Sequence, residues 1–148
     1  MPEFMLDTDT VSWALRGQGA VPTRLLEHRP SQLCISSITL AELRFGADAK
    51  ASRKLHGLIG TFVQSMAVMP FDQAAADRFG PVANALAKRG EPIGTFDTLI
   101  AAHALSLSLT LVTNNTKHFQ RLAGAQDGEL GLNTGSRRTR AAPDGRGT

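Results

Sequence analysis

Short apolar runs alternate with helical periodicities along most of this chain. Phe4 to Leu6 is an apolar run ending at Asp7, and Thr8 or Asp9 then supplies a cap for a helix carrying Val11, Trp13, Ala14 and Leu15 up to Gly17. Pro22 opens a second short helix ending near His28, and Leu33-Cys34-Ile35 is a β-type run before Ser36-Ser37. Ile38, Leu40, Ala41, Leu43 and Phe45 mark a helix with Gly46 near its end. Leu55, Leu58, Ile59, Phe62, Val63 and Met66 recur at the spacing of an amphipathic helix, and Ala67-Val68-Met69 is a strand closed by Pro70. The Ala-rich stretch from Asp72 to Lys88 is helical in pattern, with Gly80-Pro81 expected to kink or divide it. A loop from Arg89 to Gly94 leads into a helix whose Phe96, Leu99, Ile100, His103, Ala104 and Leu107 form a buried stripe, and Thr110 to Thr113 is a last strand.

Strands separated by helices predict an α/β fold, a parallel sheet with helices on both faces. In such sheets ligands gather beyond the carboxyl ends of the strands, where Asp7 and Asn115 fall. With 148 residues and 42% hydrophobic content the chain supports one domain, over residues 1–124. Beyond Gly124 the pattern fails, and residues 125–148 are expected to form a disordered tail. This tail changes the meaning of the net charge of +3: Arg137, Arg138, Arg140 and Arg146 against Asp144 account for all of it, and the body is formally neutral. A general affinity for nucleic acid is therefore not implied, although a local basic patch could still serve. The single cysteine, Cys34, excludes a disulfide framework and a multi-cysteine zinc site. No export signal or membrane-length apolar run is evident, so the expectation is a cytoplasmic protein with no membrane association.

Four apolar runs end on, or enclose, an oxygen-donor side chain: Asp7, Glu42, Asp97 and Asn115. Burial disfavours a carboxylate's charge, so three such acids in one small domain call for a cationic compensator, and Mg²⁺ suits them. It takes hard oxygen ligands, keeps several waters and supports phosphodiester hydrolysis. Asp7 and Asp97 are the candidate direct ligands, and Glu42 is a ligand through water or the group that orients the attacking water. Asn115 is a neutral donor at the rim, with Thr8 or Thr113 hydrogen-bonding the carboxylates. Each has a plainer explanation: Asp7 as a strand terminator, Asp97 as a charge at a helix N-terminus, Glu42 as a solvent-facing helix position, Asn114-Asn115 as a turn. Asp9 reads as a helix cap, His103 as a hydrogen-bonded core histidine, Cys34 and Trp13 as packing residues.

Met5-Leu6-Asp7-Thr8, Ile35 to Leu43, Pro92-Ile93-Gly94 with Asp97 and Ile100 to Ala104, and Leu111 to Asn115 occur in this order, and together they resemble a PIN-domain ribonuclease of the VapC toxin type over Phe4 to Leu122. The resemblance implies a three-layer α/β/α fold around a short, mainly parallel sheet, and a Mg²⁺- or Mn²⁺-dependent endoribonuclease with Asp7, Glu42 and Asp97 at the family's acidic positions. It implies a VapB-type antitoxin partner, DNA contact only through that antitoxin, a homodimer, and tRNA, initiator tRNA in particular, cut in the anticodon stem-loop. The apolar stripe from Leu55 to Met66 offers a surface for the second copy. Three features depart from the family pattern: Asn115 where many members carry a fourth acid, Asp9 where Asn is usual, and no closing strand in Ala125 to Leu130. Two rivals stay open. Asp7-Thr8-Asp9-Thr10 also resembles the first motif of haloacid-dehalogenase-type phosphatases, with Asp7 as nucleophile and Asp9 as acid. A catalytically impaired PIN-fold module that binds RNA or antitoxin would account for Asn115.

Overall fold

The computed structural model of the chain describes residues 2–17 and 28–113. Four strands, β1 (Phe4–Leu6), β2 (Leu33–Ser36), β3 (Ala67–Met69) and β4 (Thr110–Val112), form an all-parallel sheet in the order β3-β2-β1-β4. The helices are α1 (Thr8–Arg16), α2 (Ser37–Ala49), α3 (Arg53–Gln64), α4 (Gln73–Lys88) and α5 (Thr95–Ser106), with a 3-10 turn at Pro30–Gln32 before β2.

The register explains why the strands read as unbroken apolar runs. Met5 pairs with Cys34 and Leu111, and these residues face Val82 and Leu86 of α4 and Ile100, Ala101 and Ala104 of α5. Leu6 pairs with Ile35 and Val112, which face the opposite way onto Val11 of α1, Leu43 and Ala47 of α2 and Ile59 of α3. Successive side chains point to opposite faces, so a sheet covered on both sides needs apolar residues at every position. The three layers follow directly.

From β1 the chain steps through β2 to β3 at one edge, then returns to the other side of β1 for β4. The reversal places a crevice beyond the carboxyl ends of β1 and β4, the position where doubly wound sheets bind ligands. Asp7 follows β1 there, and Thr113 follows β4.

Several local expectations change. Asp7, not Thr8 or Asp9, caps α1: its extended backbone lets the carboxylate accept from the Thr10 N–H at 2.8 Å. The helix expected to close near Gly46 continues to Ala49. Gly80-Pro81 does not divide α4, because Ala75, Val82 and Leu86 are buried on one side of the helix while Pro81 is exposed, leaving its missing hydrogen bond toward solvent. The stripe from Leu55 to Met66 is taken by the core: Ile59 is buried and Leu55, Phe62, Val63 and Met66 pack against it, which leaves Leu58 as the exposed member. The helix expected at Pro22, Asn115 and the tail lie outside the described residues. Among the described residues no helix is long and apolar enough to cross a membrane.

His103 behaves as the core histidine its position predicts. It is buried, its Nδ1 lies 2.8 Å from Ser36 Oγ, and its ring meets Phe71 edge-on at 5.3 Å. Burial lowers its pKa, against the opposing charge of Asp72 and a bond to the Pro70 backbone, so the ring is held toward its neutral form.

Candidate active site

The short strand β1 delivers Asp7 to the crevice. The residue's N–H donates to the Val112 carbonyl at 3.0 Å, which extends the β1–β4 pairing one residue past the strand ends. Its side chain is 5% exposed and accepts from the Thr10 N–H and from Thr113. Those bonds favour the charged form, but burial outweighs them, and with a smaller push from Asp9 the carboxyl rises from 3.8 to about 6.

Glu42 reaches the same region from the middle of α2. Thr8, the first residue of α1, donates its hydroxyl to Glu42 Oε1 at 2.6 Å, with the Thr39 hydroxyl 3.2 Å from that of Thr8. Glu42 is half-buried, and its pKa is raised, first by burial and then by the charges of Asp97 and Asp9, with the Thr8 bond opposing. The phosphatase alternative gives Glu42 no part, whereas here it is oriented by a short hydrogen bond and repelled by two acids.

Asp97 stands in the first turn of α5, where Gly94 is the cap residue and contributes no side chain. A methyl group built on Gly94 would lie 3.6 Å from Asp97 Oδ2, so the carboxylate turns back over the helix start. Its charge acts on Glu42 as well as on its own helix, which a purely local capping role would not require. Asp97 and Glu42 thus face each other electrostatically, as Asp7 and Asp9 do.

For a metal-dependent nuclease the sequence pattern gives Asp9 only a cap, its one catalytic role being the acid of the phosphatase alternative. It is exposed, yet its charge raises both Asp7 and Glu42, so it belongs to the electrostatic field of the site. The signal was the Asp-Thr-Asp spacing across a strand end, which sets two acids on the opening turn of one helix. The stripe of α5 expected to be buried also differs: Phe96 is 53% exposed, because the first turn projects past the core that buries Ile100 and Ala104.

Among the described residues, no three acidic, histidine or cysteine side chains gather closely enough to enclose an ion by themselves. Burial nevertheless raises Asp7 and Glu42, while the charge of Asp9 acts on both and that of Asp97 on Glu42, and such carboxylate oxygens fit a hard divalent cation completing its shell with water and substrate oxygens.

The PIN domain family model matches residues 4–125. Over 125 residues the chain is 38% identical to the tRNA(fMet)-specific endonuclease VapC of Shigella flexneri, covering 84% of this chain and 95% of that protein. The fold is similar to the toxin-antitoxin structure of DNA-bound VapBC from Salmonella typhimurium, with a TM-score of 0.77 and 34% identity over 90% of this chain and 97% of that one. It is similar also to VapBC2 from Rickettsia felis bound to a promoter DNA fragment, with a TM-score of 0.73 and 28% identity over 88% and 96% of the respective chains.

Proposed function

The chain belongs to the PIN-domain family, and from that membership we propose that it is a metal-dependent endoribonuclease, the VapC-type toxin of a toxin-antitoxin pair. The observation that carries the reading is Asp7, a carboxyl 5% exposed at the end of β1, whose chain neighbour Thr8 holds a second acid, Glu42, through a 2.6 Å hydrogen bond. Keeping a buried carboxylate charged is costly, and a bound cation would offset that cost.

Asp7, Glu42 and Asp97 would hold Mg²⁺, or Mn²⁺, with Asn115 as a neutral oxygen donor at the rim. The ion, when bound, supplies an acidified water and a counter-charge for phosphate oxygens. The protein's own groups do the rest. Thr8 fixes the Glu42 carboxylate, Thr10 and Thr113 fix Asp7, and the buried setting of Asp7 keeps bulk water from its oxygens.

The substrate reading is tRNA, initiator tRNA in the anticodon stem-loop, supported by the named activity of the Shigella relative. A VapB-type antitoxin is the partner, with DNA contacted through it, and the toxin works as a homodimer; the DNA-bound VapBC neighbours support this assembly.

The test is cleavage of total tRNA with Mg²⁺, Mn²⁺ or EDTA by the antitoxin-free wild type and by Asp7→Ala and Asp97→Asn. Discrete fragments that need metal and disappear in both variants are expected. A folded wild type that leaves every tRNA intact in both metals would refute the enzyme and favour a module that only binds.

A further inference from the structure

A surface cavity of about 510 Å³ lies against the acidic site, lined by Ala41, Glu42, Phe45 and Phe96. Its size falls within the roughly 300–1,000 Å³ of clefts that take small organic groups. Phe45 and Phe96 are 74% and 53% exposed, more than any other large apolar side chain among the described residues. Both are tied to the acids by the local geometry. Phe45 follows Glu42 by three residues on α2, which sets it on the same helix face, and Phe96 directly precedes Asp97 in the first turn of α5.

Exposed rings beside a group of carboxylates are unfavourable unless something covers them. A group that covers them has to be apolar where it meets the rings and must not bring negative charge to that contact, since Glu42 lines the same cavity and Asp97 is next in sequence to Phe96. Glu42, one of the acids proposed to hold the ion, lines the cavity itself, so a nucleotide adjoining a phosphate bound by that ion would be within reach of the rings. A nucleobase meets these requirements and stacks on aromatic rings without regard to its identity. Bases inside a duplex are already stacked on their neighbours and cannot do so without leaving the helix.

We infer that Phe45 and Phe96 form a stacking site for one unpaired nucleobase beside the scissile phosphate, and thereby restrict cutting to loops and single strands. This rests on the ribonuclease reading and adds to it the residues that choose the substrate's local structure.

The experiment compares wild type with Phe45→Leu, Phe96→Leu and the corresponding Phe→Trp variants. The substrates are an RNA stem-loop that the wild type cuts, the same sequence in a perfect duplex, and stem-loops with an abasic nucleotide on either side of the cut. The Leu variants are expected to raise KM by ~5- to 150-fold, the span of one stacked base, with kcat little changed. The Trp variants should retain the wild-type KM. One abasic RNA should cost the wild type a similar factor but cost the Leu variants little more, because the same contact is already gone. Fluorescence polarisation of labelled stem-loop on Asp97→Asn, with and without the Leu substitutions, reads the same loss without catalysis. Circular dichroism confirms that these surface variants are folded.

Leu variants with the wild-type KM, or a wild type indifferent to abasic RNA and equally active on duplex, would overturn the stacking site while leaving the nuclease standing. Leu variants that change molecular mass in light scattering but not KM would likewise overturn it, making the rings a protein contact. A wild type inactive on all RNA would remove the ribonuclease reading, and this inference with it.

Discussion

Removing the charge of Asp7 should make the protein more stable while abolishing its activity. In the metal-free fold this carboxyl is 5% exposed and rises from 3.8 to about 6, chiefly through burial. A carboxyl that binds its proton more tightly folded than unfolded loses stability as pH rises, because the unfolded chain releases the proton first. The penalty grows from the unfolded pKa near 4 up to the folded value near 6 and is then constant. The gap between 3.8 and about 6, at roughly 1.36 kcal/mol for each pH unit, amounts to about 3 kcal/mol at pH 7.5. At pH 5 the same two-state expression gives about 1.6 kcal/mol, so roughly half the effect is gone.

Asp7→Asn keeps an oxygen for the Thr10 N–H that begins α1 and carries no charge at any pH. Urea unfolding in EDTA should therefore show the variant more stable at pH 7.5, by up to about 3 kcal/mol, with its advantage shrinking by about 1.5 kcal/mol at pH 5. His103, whose pKa is lowered, acts in the opposite direction with pH, but it is present in both proteins and cancels in the difference. A variant no more stable than wild type at pH 7.5, or a difference equal at the two pH values, would refute the argument that Asp7 is buried at a cost for its function.

Other expectations follow from single contacts. Thr8→Val removes the 2.6 Å bond to Glu42 and should raise the Mg²⁺ concentration for half-maximal cleavage by ~10-fold or more; a metal titration that superimposes on wild type would show Thr8 idle. Ser36→Ala takes away both the cap on the Ile38 N–H and the partner of His103 Nδ1, and should cost about 2–4 kcal/mol in urea unfolding; a loss below about 1 kcal/mol would count against the buried pair. Cys34 is fully buried and its thiol is pushed up to about 11, so a thiol reagent at pH 8 should leave it unmodified until denaturant is added; rapid native labelling would contradict its placement.

The strands and the three acids were legible because a sheet buried on both faces permits little but apolar residues, which makes Asp7 after Leu6 and Glu42 between Ala41 and Leu43 conspicuous. Thr8 and Thr113 were legible as hydrogen-bond partners for the same reason, being polar groups at the margins of apolar runs. The continuity of α4 through Pro81 was not legible, since it depends on which side of the helix meets α5. Nor was the exposure of Phe96: helical spacing gives a stripe but not where the core beneath it ends. The cap on α1 was misassigned because a carboxylate at a strand end can serve helix and site together, and residue type alone does not reveal that Asp7 does so.

β1 lies at the centre of the sheet although it is the first strand to be made, and its last neighbour, β4, is the last described strand. The Thr10 hydroxyl reaches the Val112 carbonyl across 102 residues of sequence, and the Asp7 N–H bonds that same carbonyl. At about 5–20 residues per second, a ribosome takes ~5–20 s to travel from one to the other. Through that interval the nascent chain already carries Asp7, Glu42 and, toward its end, Asp97, but lacks the strand that fixes Asp7. The order of strands therefore acts as a timer: a chain interrupted before β4 carries all three acids but lacks the Val112 carbonyl and the Thr113 bond that hold Asp7, so the candidate site cannot assemble until β4 has been made.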